Sequence, residues 1–159
     1  PTIDDTIMAF FPAVTAQYWR VEITGAMSSI GVLKLGKRVI MPYGVLSGHT
    51  SIDHAPNVTL LHNSSIKGQF IGNRIIKLGA ETSINFGLLD TEFVEIDLAE
   101  FETKYNEGRT FFYCGSPAQY PKDIGYCWRS TRADTMRPSY QEGGESMNVE
   151  IDVQVYIDQ

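Results

Sequence analysis

Cys114 and Cys127 are the only thiols in this chain of 159 residues, and thiols can act as nucleophiles, metal ligands or halves of a disulfide. A nucleophilic cysteine needs a base beside it. The nearest histidine in sequence, His62, lies more than fifty residues before Cys114. Neither cysteine belongs to a C-x-x-C pair, and no histidine accompanies them at a zinc spacing. They flank a predicted hairpin loop, so they could face each other across the ladder. Two small buried apolar side chains are the favoured alternative, because free cysteine is among the most buried residue types.

His49, Asp53 and His54 share one loop, with His62 beyond it. Histidine and aspartate can bind a metal together. H-x-x-x-D-H in a Gly/Ser-rich loop is no standard ligand spacing, so solvent-facing histidines are expected and no metal is assigned. The triplets Asn57-Val-Thr59 and Asn63-Ser-Ser65 fit the glycosylation pattern, but such triplets arise often by chance and no secretion signal opens the chain. Nineteen acidic residues offer no distinguishable pair for glycoside chemistry. The hydrolase, phosphate-loop and dinucleotide fingerprints are all missing. The expectation is a protein without a catalytic centre or a cofactor, not an enzyme.

Aromatic residues gather between 111 and 128: Phe111, Phe112, Tyr113, Tyr120, Tyr126 and Trp128. Such a set can stack on sugars or bind protein. In strands half of it must face the core, and Phe112 and Trp128, or their neighbours, are expected there. Tyr120, on the loop between two prolines, is the candidate contact residue, because exposed aromatics on loop tips make good contacts.

The elements that would carry these residues read as mainly β. Val149, Ile151, Val153, Val155 and Ile157 alternate with polar residues, which predicts an antiparallel strand with one wet face. A second alternating run covers 18–24, with Trp19, Val21 and Ile23 on one side. Further strands are expected over 30–35, 38–41, 58–62, 65–71, 74–78, 81–89, 110–114 and 124–130. Long loops are expected over 42–57, 115–123 and 131–146. Asp97 and Glu100 have the spacing of a capping box, and Leu98, Phe101 and Tyr105 follow at helical spacing, so one short helix is predicted over 97–107 with Gly108 as its C-cap. A start near Asp90 would extend the same stripe to Val94, and a strand over 92–96 is the alternative. Many short strands separated by turns imply an antiparallel β-sandwich or barrel. The length suits one domain spanning 1–159.

A net charge of −6 and the lack of a clustered basic stripe argue against nucleic acid. Arg129, Arg132 and Arg137 are interleaved with Asp134, Glu142 and Glu145, as in a solvated loop. No run approaches the ~20 apolar residues of a membrane span.

The run Ala16-Gln-Tyr-Trp-Arg-Val-Glu-Ile23, followed by Ile30-Gly-Val-Leu-Lys-Leu-Gly36, resembles a two-strand pattern of phage minor tail proteins. There, part of a discoidin-like sandwich would fall within 1–41. Val32 stands where arginine is common in that pattern. The element order that follows is similar to that of distal tail, or baseplate-adaptor, proteins of siphophages. The resemblance covers most of 16–157. It implies a structural virion component at the tail tip, assembled in the host cytoplasm, that joins the tail tube to the hub or to receptor-binding proteins. Its partners would be a homo-oligomeric ring and other tail proteins, with loops 42–57 and 131–146 wrapping neighbours. The discoidin-like strands and loop aromatics also suggest a carbohydrate-binding module, with a glycan as partner.

Overall fold

In the computed structural model, residues 8–12, 14–22, 24, 31–116, 118–131, 133–141 and 143–156 are described. The chain is mainly β: one curled antiparallel sheet with one helix packed on it, of the sandwich or barrel-like class. The strands are β1 (Pro56–Ser64), β2 (Phe70–Asp90), β3 (Phe111–Ser116), β4 (Tyr120–Arg129), β5 (Ser139–Tyr140) and β6 (Ser146–Val155). The sheet order is β1-β2-β6-β4-β3, with β5 pairing β6 beside β4.

The alternation predicted at the C-terminus is realised in β6. Met147, Val149, Ile151, Val153 and Val155 are buried, and the residues between them are not. Ile157 lies outside the described residues. Across the ladder Ala80, Thr82, Ile84 and Phe86 of β2 pair with Val155, Val153, Ile151 and Val149, so both strands present one face to the same core. A period of two in the side chains makes that matching obligatory once the register is set.

The helical segment begins earlier than the capping box predicts. Asp90 caps it, its Oδ1 accepting from the Glu92 N–H at 2.8 Å. A π-helical turn, Phe93–Asp97, then leads into α1 (Ala99–Asn106), whose N-cap is Leu98, so the Asp97 box is not formed. The apolar stripe decides this: Val94, Leu98 and Tyr105 are buried, with Phe101 half-buried beside them. Gly108, at φ +76°, closes the C-terminus as predicted. Its N–H reaches the Tyr105 carbonyl, and the Arg109 N–H reaches that of Lys104, the paired bonds of a Schellman cap.

Three expectations are corrected. First, 65–71, 74–78 and 81–89 are not three strands. Residues 65–69 form the turn, closed by Gly68 N–H to the Ser65 carbonyl with Gly68 at φ +78°. β2 then runs unbroken for 21 residues, because Gly72 and Asn73 continue the ladder opposite Asn63 and His62. Second, the strands expected over 18–24, 30–35 and 38–41 are not formed among the described residues; residues 1–7, 13, 23 and 25–30 lie outside the description, and with them much of the discoidin-like piece expected within 1–41. A strand needs a hydrogen-bonded neighbour, and the described residues of this segment pair with neither sheet edge. Tyr18, Trp19 and Val21 stand exposed, and only Val39, Met41 and Val45 reach the core. Third, the two later loops are shorter than expected. β3 and β4 extend to Ser116 and from Tyr120, and β5 forms inside 131–146.

Candidate functional site

The chemistry-bearing residues do not converge on one centre. Register sets Cys114 opposite Ile124 and Cys127 opposite Phe111, so the cysteines are not cross-strand partners, and both are free thiols. Cys127 is fully buried, and burial pushes its thiol up to about 12. Burial, and then the nearby Asp123 carboxylate, push the half-buried Cys114 thiol up as well. Both are poor thiolate sources, because nucleophilicity requires the deprotonated sulfur.

The histidines are separated. His49 is half-buried and its Nδ1 lies 3.2 Å from the Ser83 carbonyl, which can only accept, so Nδ1 carries a proton. His54 is exposed in the 3-10 turn Ile52–His54, and His62 sits on β1 with its ring 6.3 Å from that of Phe70. Among the described residues no three His, Cys, Asp or Glu side chains gather as a metal site.

The residue that sequence reading missed is Asp123, which fell in a predicted loop and lies inside β4. Its side chain is 6% exposed. Its Oδ1 accepts from the Ile52 N–H at 2.9 Å and from the Ser51 hydroxyl at 3.1 Å, while Oδ2 lies 3.7 Å from His49 Nε2. Tyr113 faces the same knot, its hydroxyl without a hydrogen-bond partner among the described residues and its phenol pushed up by burial and by Asp123. A buried carboxylate is tolerated only when hydrogen-bonded. Here its bonds pin loop 47–55 onto β4, and Gly125 leaves room for Ile52 to pack there. Ser51 and His49 both lie against the carboxylate, and the arrangement staples the loop to the strand.

Two shallow grooves flank the sheet. The larger, of about 450 Å³, is lined by Thr50, His54, Glu81, Ser83 and Asn85 among others. The second, of about 290 Å³, lies between Leu46, Arg137 and Glu150. Each has a single carboxylate, short of the pair that glycoside hydrolysis requires.

The aromatic residues divide as strand alternation demands. Phe111 and Tyr113 pack on the core, while Phe112, Tyr126 and Trp128 form a half-buried strip on the other face. In that strip, the ring centroids of Phe112 and Tyr126 are 5.1 Å apart, and those of Tyr126 and Trp128 are 6.1 Å apart. The core-facing set is thus the neighbours of Phe112 and Trp128. The Trp128 N–H donates to the Gln154 side chain, and Lys34 lies over the Tyr126 ring. Tyr120 is 63% exposed at the start of β4.

The β1–β2 arm has no packing partner among the described residues. Every residue of β1 is exposed, and so are Phe70, Ile71, Asn73, Arg74 and Ile75 at the start of β2. Val58, Leu60, Leu61, Phe70, Ile71 and Ile75 therefore meet solvent, with Ile66 at the tip. Nine residues of β1 make the arm roughly 30 Å long. Among the described residues its outer edge has no ladder partner, and β3 forms the other open edge of the sheet. Compared with models of protein families, with curated proteins and with solved structures, the chain shows no match in any of the three.

Proposed function

We propose that this protein is a structural, self-associating component of a virion, a ring subunit at a phage tail tip joining the tail tube to the hub or to receptor-binding proteins. The tail assignment rests on the resemblance of 16–157. The self-association rests on one observation: a two-stranded arm that carries exposed apolar side chains and against which none of the described residues packs. An isolated hairpin is marginally stable in water, and an exposed apolar surface of several hundred Å² marks an interaction site. The open edges at β1 and β3 and the unpaired strand-like segment 18–22 support the same reading, because open edges invite pairing with another chain. Interfaces of this one-sided kind close into rings or run on as filaments.

The alternative, a carbohydrate-binding module, draws on Tyr120 alone, since the Phe112–Tyr126–Trp128 strip is half-buried and partly capped. Light scattering coupled to size exclusion, with electron microscopy of the main peak, separates the two. Rings or larger assemblies are the expected result. A monomer at every concentration that binds a glycan on an array would replace the assembly reading.

A further inference from the structure

We propose that the β1–β2 arm of one copy of this chain docks on the acidic helical segment 90–107 of a second copy. This deepens the assembly reading above by naming the two surfaces that meet. Charge is distributed very unevenly along the chain. Residues 56–80 hold Lys67, Arg74 and Lys77 and no Asp or Glu, although the whole protein carries −6. Residues 90–107 hold seven carboxylates against the single Lys104. Asp90, Glu92, Glu95, Asp97, Glu100 and Glu107 are exposed. Among the described residues neither Lys67 nor Arg74 enters an ion pair, and on the acidic side only Glu107 does, with Arg109. Lys67 and Arg74 on the arm, and six of the seven carboxylates of 90–107, are thus without an ion pair among the described residues.

Apolar surface accompanies the charge on both sides. The arm offers Leu61, Phe70, Ile71 and Ile75. The acidic segment offers Ile96, 65% exposed, and is preceded by Leu88, 61% exposed. Leu88 sits in the β-bulge of β2 at φ +57°, a conformation that costs a non-glycine residue free energy and turns its side chain out of the sheet. Connectivity separates the two surfaces within one chain. The arm's turn and Asp90 lie at opposite ends of β2, whose 21 residues span on the order of 65 Å. An arm at one end and its complement at the other make a head-to-tail contact, which propagates from copy to copy. Complementary charge would set the register and speed the encounter.

The test uses charge reversal in the full chain, read by sedimentation velocity across a concentration series. One variant carries Lys67→Glu with Arg74→Glu; another carries Glu95→Lys with Glu100→Lys. All four side chains are exposed, so circular dichroism and melting should match the unaltered protein. The unaltered protein is expected to associate, and at least tenfold more weakly when salt rises from about 0.05 to 0.5 M, as screening shortens the reach of charge. Each variant alone should associate about 100-fold more weakly. Mixed in equal amounts they should co-assemble, because each reversed surface then meets its complement. Assembly of the unaltered protein with no response to reversal, or no restoration on mixing, would overturn this docking while leaving self-assembly intact. A monomer throughout would overturn both.

Discussion

Replacing Phe70 and Ile71 together by threonine tests the arm directly. Adjacent strand residues point to opposite faces, so the pair alters both sides at once, and threonine keeps the β-propensity of the strand. Phe70 is 68% and Ile71 69% exposed. The folded monomer therefore gains little from either, and its stability should change by no more than about 0.5 kcal/mol, as for ordinary surface sites. In an assembly the outcome differs. Fully burying a side chain of this size contributes about 1.5–3 kcal/mol, of which roughly two-thirds remains available at these exposures. Losing both would cost about 2–4 kcal/mol of association. At 1.4 kcal/mol per tenfold, the dissociation constant should rise roughly 30- to 700-fold. Sedimentation velocity gives the association constant, and thermal melting of the dilute protein gives the monomer's stability. Unchanged association would refute the arm as an interface. A melting temperature lowered by several degrees would show that these side chains belong to the protein's own core.

Asp123→Ala should destabilise the fold by about 3 kcal/mol, because the Ile52 N–H and the Ser51 hydroxyl lose their buried acceptor; faster proteolysis within 47–55 would locate the loss. Gly125→Ala would set a Cβ 2.7 Å from Val155 Cγ1 and 2.8 Å from Ile52 Cδ1, and should cost about 1–3 kcal/mol by overpacking, measured by urea titration. Stability should also fall in alkali. Cys127 holds its proton to about 12 when folded and releases it near 9.0 when unfolded, so between those values the native state binds more protons and stability drops as pH rises. The contribution lost is on the order of 1 kcal/mol at pH 10, and Cys127→Ala should flatten that slope in a pH series of urea titrations.

Much of the body was legible in the residues themselves. The alternation from Val149 to Val155 and the stripe through Val94, Leu98 and Tyr105 are local signals, since burial of one face imposes its period on the chain. Gly108 was legible for a similarly local reason, because its left-handed backbone angle follows from the lack of a side chain. Tertiary structure decided what depends on partners distant in sequence. The run from 18 to 22 has the pattern of a strand but finds no ladder neighbour among the described residues, and pattern alone does not supply one. Gly72 and Asn73 look like a turn and become strand, because the ladder with β1 satisfies their backbone. Asp123 looks like a loop carboxylate and proves to be a buried anchor, because only the folded chain brings Ser51 and Ile52 to it across some seventy residues of sequence.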